Sequence, residues 1–360
     1  MPGTRLAASA VLLFALAAIA GGQDPQPAKE PPKEQPKEPA KEQPKEQPKE
    51  QPKEQPPAVP DGKTFAFKFE KDKKFYQEVS TNVIQVIKVQ GQDLTQTQSS
   101  TFWFEWTPLE EKDGKWSVKQ KVEGLRMTID ISGNLITYDS TKADSPSAGN
   151  PGLSEFFKNL VGSEFTATID KGFKVESVAG KKEFIAKLGS GSPQMDALLN
   201  RIMTDDALKQ MCDPTLGITP ETPKKAGDSW EKKSVLNLGP IGSFDVTYKF
   251  KYLGPDKDMD KIEVETVLVY NAPKDDPAAG GLLFRIKEGK LTQPTSGEAA
   301  PPKGVVLYNP KTQRVESAEI TLKLKGELKV TIGGSDTTVE LNQEQRTSLK
   351  TRDTTFIEKK

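Results

Sequence analysis

Hydrophobic and polar residues alternate along most of the chain after residue 61. The segment TQTQSSTFWFEW places Phe102, Phe104 and Trp106 on one face of a strand and Trp103 on the opposite face, because successive strand side chains point to opposite faces. The following EKDGK carries an Asp-Gly pair, which is typical of a hairpin turn. Together with the runs KKFYQEVSTNVIQVIKVQ and KWSVKQKVEGLRMTIDI, this pattern predicts an antiparallel meander over residues 61–140.

Residues 141–225 change to helical spacing. In NPGLSEFFKNLVG, Phe156 and Phe157 belong to one apolar stripe, and KKEFIAKLGSG predicts a second short helix. The longest helical pattern is SPQMDALLNRIMTDDALKQMC, whose stripe includes Leu199 and Met203. A short strand pair, EFTATID and KVESVAG, separates the first two helices. An apolar stripe of this kind indicates helices that pack on a sheet.

The strand pattern resumes over residues 226–360, for example in SFDVTYKFKYLG and QRVESAEITLKLKGELKVTI. The tail TTVELNQEQRTSLKTRDTTF fits either a polar edge strand or a helix, and its frequent threonines favour the strand. The predicted fold class is α+β and mainly antiparallel β. Two long-stranded, half-barrel-like meanders pack together, with the helical and short-strand segment 141–225 inserted between them.

The first 60 residues have a different character. Residues 1–22 combine Arg5, an apolar run and small residues before a cleavage point, which predicts a secretory signal peptide. The alternative is an uncleaved anchor that would bring membrane contact. No cysteine immediately follows the apolar run, so a lipid-modified N-terminus is not expected. The protein is therefore predicted to be exported, to the periplasm or the extracellular space.

Residues 23–60 are a low-complexity segment in which KEQP repeats. A proline at every fourth position removes one helical donor per turn, and no large apolar residue is available to build a core. A disordered linker of Pro, Lys, Glu and Gln is therefore predicted. It acts as a spacer, or alternatively as a docking sequence for a polyproline-binding partner.

Charge and residue usage exclude several function classes. The chain has 51 basic and 51 acidic residues and no long basic block, so nucleic-acid binding is not expected. It has no histidine, which removes Ser-His-Asp and Cys-His catalysis and histidine-based zinc sites. The single cysteine, Cys212, cannot form a disulfide within the chain and is interpreted as a small buried hydrophobe.

The remaining motifs do not specify an activity. Asp256, Asp258 and Asp260 open like a calcium loop, but Lys261 and Val267 stand where glycine and glutamate are needed, so a solvated acidic turn is predicted. The segment GSGSP lacks the last glycine of a G-x-S-x-G elbow. Paired carboxylates could support hydrolysis, but spacing selects no pair. No catalytic residue, metal or cofactor is therefore predicted.

Three segments carry a resemblance. YDS at Tyr138–Ser140, GDSW at Gly227–Trp230 and the late NPKTQRVESAEITLKLKG resemble an uncharacterised family of secreted bacterial proteins, a domain of unknown function, over residues 63–355. The resemblance implies no activity and transfers no functional residue. The long-stranded, helix-covered layout is also similar to the half-barrels of envelope lipid and lipoprotein carriers, at the level of fold alone.

The leading hypothesis is a non-enzymatic envelope or extracellular protein of binding or scaffold type with an unknown partner. The second is a carrier of an apolar ligand, a lipid or lipoprotein, in a curved sheet covered by helices, and the third is a carboxylate-dependent hydrolase. The candidate residues for a ligand-binding groove, or otherwise for the core, are Phe102, Phe104, Trp106, Phe156, Phe157, Leu199 and Met203.

Overall fold

The computed structural model describes residues 62–142, 151–189, 196, 199–200, 203–212, 218–237, 241–273, 284–294, 301–332 and 334–358. The prediction of a mainly antiparallel β protein is confirmed over these residues. The strands of the first part are β1 Phe75–Val89, β2 Gln92–Lys112, β3 Lys115–Ile131, β4 Asn134–Asp139, β5 Glu164–Ile169 and β6 Val175–Ala179. Those of the second part are β7 Ser229–Asn237, β8 Ser243–Asp256, β9 Met259–Asn271, β10 Phe284–Thr292, β11 Gly304–Asn309, β12 Arg314–Ile332 and β13 Ser335–Arg352.

The helices between β4 and β7 whose two ends are described are α1 Pro151–Leu160, α2 Lys181–Gly189 and α3 Asp205–Cys212. The single long helix expected up to Cys212 is wrong, because the chain leaves the helical conformation at Met203 and Thr204. The Thr204 hydroxyl accepts a hydrogen bond from the Ala207 amide at 3.1 Å and so caps a new helix. The predicted start of the longer helix at Ser192 lies outside the described residues.

The strands form one open antiparallel sheet in the order β6-β5-β3-β2-β1-β13-β12-β11-β9-β8-β7, with β4 also pairing with β3 and β10 with β12. The two predicted meanders are therefore joined edge to edge, because β13 returns to pair with β1. The tail is a strand, as predicted, but it is not an edge strand. It lies in the middle of the sheet, between β1 and β12.

The sheet is rolled, so that its first and last strands approach each other. Its eleven side-by-side strands in the described residues would span about 48 Å if flat, at about 4.8 Å per strand. Helix α3, which has 8 residues and is about 12 Å long, nevertheless lies against both β6 and β7. The rolled sheet therefore has an inner face, which carries the core, and an outer face.

One end of the rolled sheet is filled by aromatic side chains, and we call it the aromatic end. Residues 63–69 cross it as a strap in which Phe65, Phe67 and Phe69 are buried. Phe65 lies 6.1 Å from the Trp230 ring of β7. Two residues later, Phe67 lies 5.8 Å from Phe173, in the turn between β5 and β6. The strap therefore ties the two edges of the sheet together. The sequence pattern assigned it to the first meander, because its alternation is that of a strand.

The outer face is mainly polar, with a covered patch at Trp103. As its position in β2 predicts, Trp103 points away from Phe102, Phe104 and Trp106, yet only 5% of it is exposed. Its indole nitrogen donates a hydrogen bond to Glu78 at 3.0 Å, and the Arg126 guanidinium lies 5.6 Å from its ring centre. The C-terminal segment 353–358 completes the cover.

Candidate ligand-binding site

Uncharged polar side chains interrupt the apolar inner face on the three central strands. We call them the polar patch; its members, between 1% and 9% exposed, are Thr81, Gln85, Gln98, Ser100, Gln343, Gln345 and Thr347. Strand register brings them together: Thr81 pairs with Ser100 and Thr347 across its two neighbouring strands. Val83 pairs with Gln98 and Gln345 in the same way. The patch is therefore continuous across β2, β1 and β13.

The patch satisfies part of its own hydrogen-bonding capacity. The hydroxyls of Thr81 and Thr347 lie 3.3 Å apart, and the Gln345 amide donates to Thr347 at 3.1 Å. The Nε2 atoms of Gln85 and Gln98 are buried and have no hydrogen-bond partner among the described residues. An unsatisfied buried donor costs about 1–3 kcal/mol. Two such donors on neighbouring strands therefore form a site that an oxygen acceptor would complete.

Apolar residues surround the patch on both sides. On β3, Met127 and Ile129 pair with Ser100 and Gln98, and both are about 1% exposed. On β12, Ile320, Leu322 and Leu324 pair with Thr347, Gln345 and Gln343. The inner face therefore carries an uncharged, hydrogen-bonding patch flanked by apolar side chains. This arrangement is typical of a site that orients the polar group of a mainly apolar ligand.

The end of the sheet opposite the aromatic end has an apolar rim. Ile87 of β1 pairs with Leu94 of β2, and Leu94 is 38% exposed. On the inner row of β12, Ile332 is 45% exposed. These side chains continue the inner face outward from the patch, so the inner face meets solvent at this end through apolar residues.

The residues proposed from the sequence as a groove occupy three places: β2, α1 and the segment before α3. Phe102, Phe104 and Trp106 lie on the inner face of β2, and Trp106 stacks on Phe75 at 5.8 Å within the aromatic end. Phe156 and Phe157 lie on α1, where Phe157 packs on Tyr138 of β4 at 5.3 Å. Leu199 and Met203 are both 1% exposed. All seven belong to, or pack against, one hydrophobic core, and their role toward a ligand stays a prediction.

Sequence reasoning missed the polar patch, although a signal was present. In LNQEQRTSL, the row Gln343, Gln345 and Thr347 is uncharged, whereas the intervening row carries Glu344 and Arg346. Alternation between charged and uncharged polar residues marks which row faces water. A polar strand that keeps its charges on one row is therefore a candidate for two-sided burial.

The acidic turn expected around Asp260 is only partly solvated. Asp256 and Asp258 are exposed, but Asp260 is 0% exposed. It accepts a hydrogen bond from the Tyr252 hydroxyl at 2.5 Å and forms an ion pair with Lys63 of the strap. Burial, and then this hydrogen bond, raise the pKa of Tyr252. The buried carboxylate therefore holds the strap against the sheet.

The described residues include neither a metal-binding cluster nor a membrane-spanning helix. No group of three or more Asp, Glu or Cys side chains among them is placed to hold a metal ion. None of the helices they form is long and apolar enough to cross a membrane.

Comparison with known proteins supports the resemblance noted from the sequence. Residues 113–291 match the model of a family described as a family of unknown function, DUF6263. The matched range includes two of the three segments that carried the resemblance, those at Tyr138–Ser140 and Gly227–Trp230, and ends before the third. No curated protein matches the chain.

Several solved structures show a weak likeness. A structure of lipovitellin, described by its lipid–protein interactions, is 10% identical over 81% of this chain and 27% of that chain, with a TM-score of 0.40. OccK5 of Pseudomonas aeruginosa is 6% identical over 78% of this chain and 99% of its own, with a TM-score of 0.21. DynF of Micromonospora chersina is 8% identical over 76% and 79%, with a TM-score of 0.18. The chain thus spans about a quarter of the lipovitellin chain. TM-scores this low carry no functional conclusion.

Proposed function

We propose that this chain is a non-enzymatic, exported binding protein that carries an amphipathic ligand inside its rolled sheet. The observation that supports the proposal is that two buried amide donors of the polar patch, those of Gln85 and Gln98, have no hydrogen-bond partner among the described residues. Without a ligand, the buried and unpartnered amides destabilise the fold, and a role as a scaffold alone does not explain why they are there. A ligand with a hydrocarbon chain and an uncharged oxygen acceptor would contact the wall and satisfy the amides.

Export and the lack of an enzymatic role rest on the sequence. The N-terminal 22 residues have the pattern of a signal peptide, and the absence of histidine removes the commonest general base. The spacer predicted from the sequence for residues 23–60 fits a protein that works away from its point of attachment or release. Binding or scaffold function with a protein partner is the competing proposal.

The first experiment is native mass spectrometry of the exported protein, purified without refolding. A discrete additional mass that is lost on denaturation supports the carrier and reports the ligand class. The delipidated protein is then titrated with 1-monododecanoylglycerol, an uncharged amphiphile with ester and hydroxyl oxygens, below its aggregation limit.

Variants connect this binding to the polar patch. Gln85→Met combined with Gln98→Met keeps side-chain length but removes both donors, and we expect affinity for the monoacylglycerol to fall about tenfold or more. The matched control is Asn82→Leu, because Asn82 lies on the same strand but is exposed on the outer face. A clean polypeptide mass together with no measurable binding would reject the carrier in favour of the scaffold.

A further inference from the structure

A lysine on the inner face of β7, an edge strand of the sheet, has no ion-pair partner in the described residues. Lys232 of β7 pairs directly with Tyr248 of β8, and Tyr248 pairs with Thr266 of β9. These three side chains are 8%, 4% and 7% exposed. The same row of β7 contains Trp230 and Leu236, which places Lys232 among the core positions and not on the solvent row.

No carboxylate among the described residues forms an ion pair with Lys232. Its inner-row neighbours on β7 are Trp230 and Ser234, and neither is acidic. The two acidic residues at the start of α3, the helix that lies against β7, pair with other lysines: Asp205 with Lys181 at 2.7 Å and Asp206 with Lys209 at 3.6 Å. A lysine side chain that is only 8% exposed and has no ion-pair partner in the described residues keeps a positive charge close to the core, so the position favours an anionic guest.

A second, independent observation points to a ligand on the same row of cross-strand pairs. The hydroxyl of Thr266 is buried and has no hydrogen-bond partner among the described residues. A threonine hydroxyl is both donor and acceptor, and it is two strands away from Lys232 along one line of cross-strand pairs. An oxygen anion could accept from both groups.

We infer that Lys232 and Thr266 bind the anionic oxygen head group, a carboxylate or a phosphate, of the amphipathic ligand. This inference rests on the proposed carrier function and narrows its ligand class. The polar patch contains only uncharged side chains and accommodates an uncharged oxygen of the ligand, whereas Lys232 supplies the charge that the patch lacks. The preferred guest is therefore an anionic, and not a neutral, acyl compound.

The test compares 1-monododecanoylglycerol with its 3-phosphate and with dodecanoate, each titrated into the delipidated full-length mature protein. We expect the phosphate, the carboxylate or both to bind about tenfold or more tightly than the neutral compound, since hydrogen bonds to charged groups are the stronger class. The compound with the larger gain identifies the head-group chemistry. Lys232→Met should remove the gain and leave binding of the neutral compound unchanged, and Lys232→Arg should retain most of it.

The matched control is Lys233→Met, which removes the next lysine on the exposed outer row. Equal affinities for neutral and anionic compounds in the wild-type protein would overturn the inference and leave the carrier proposal intact. An equal loss in Lys232→Met and Lys233→Met would also overturn it, because general electrostatic attraction would then explain the gain. If none of the three compounds binds, both the inference and the carrier proposal fail.

Discussion

The unpartnered amides of the polar patch predict an unusual response to mutation. Replacing Gln85 and Gln98 by methionine should stabilise the ligand-free protein, although most substitutions of buried residues destabilise. Methionine has nearly the length of glutamine and no donor, so the change removes an unsatisfied polar group without opening a cavity. The two side chains are 2% and 6% exposed, so water does not compensate them fully.

The expected magnitude follows from the cost of an unsatisfied buried donor. At about 1–3 kcal/mol for each amide, the double substitution should raise the free energy of unfolding by about 2 kcal/mol or more. With an unfolding entropy of about 2.1 cal/mol/K per residue over roughly 300 folded residues, 2 kcal/mol corresponds to about 3 °C in Tm.

Urea unfolding of the delipidated protein measures the effect, with linear extrapolation to zero denaturant. Asn82→Leu on the exposed row of β1 should change stability by less than about 0.5 kcal/mol. Saturating ligand should stabilise the wild-type protein more than the double variant, because stabilisation by a ligand grows with its affinity. A loss of 1 kcal/mol or more in the ligand-free double variant would refute the reasoning, since it would mean that the amides are satisfied.

Three further changes test the rest of the fold. Phe65→Ala should cost about 3–5 kcal/mol in urea unfolding, because the 2%-exposed ring packs on Trp230 and so anchors the strap to the β7 edge of the sheet; a cost below 1 kcal/mol would contradict this role of the strap. Gly124→Ala should destabilise by about 1–3 kcal/mol, since its new methyl group would lie 2.6 Å from Ile357 Cδ1. Adding Ile357→Ala should reduce that penalty, and strict additivity of the two changes would argue against the C-terminal cover. Burial raises the pKa of Tyr270 to about 12. The stability that the protonated tyrosine contributes is therefore fully present below its ordinary pKa of about 10 and is lost as the pH rises from 10 to 12. Tyr270→Phe should therefore flatten the fall in unfolding free energy over that range by about 1.4 kcal/mol per pH unit. At neutral pH the same variant should be about 1 kcal/mol less stable, because it loses the 2.6 Å hydrogen bond that the Tyr270 hydroxyl donates to the Ile241 carbonyl. An unchanged alkaline slope would show that this tyrosine titrates normally.

Much of the local structure was predictable because it depends on neighbours in the sequence. The face assignment in TFWFEW follows from the two-residue period of a strand and holds in β2. The hairpin at Asp113 and Gly114 follows from the conformational freedom of those residues, and both adopt positive φ angles of 54° and 73°. Helix α1, from Pro151 to Leu160, likewise forms in the segment NPGLSEFFKNLVG that has helical spacing.

The errors occur where a local cap or a partner far along the chain overrides the periodic pattern. Thr204 interrupts an apolar stripe of helical period because its hydroxyl caps a new helix. The hydrogen bond of this cap replaces those that continuing the previous helix would have made. Residues 63–69 alternate like a strand, but Phe65 finds aromatic partners 165 to 243 positions away, among them Trp230 and Tyr308. The polar tail was assigned to an edge because polar strands usually meet water, whereas pairing with β1 buries it.

The sequence by itself determined the alternation of the strands and the helical spacing in α1 and α2. It also carries the N-terminal pattern that predicts export, and its lack of histidine excludes histidine-dependent catalysis. Each of these depends on residue type or on spacing of a few positions. Only the tertiary structure decided that β1, β2 and β13 lie side by side and that Lys232 belongs to a buried row. Their pairing is set by contacts across more than 200 residues of chain, as between Gln85 and Gln343. That pairing turns scattered uncharged residues into one buried patch, on which the proposed ligand site depends.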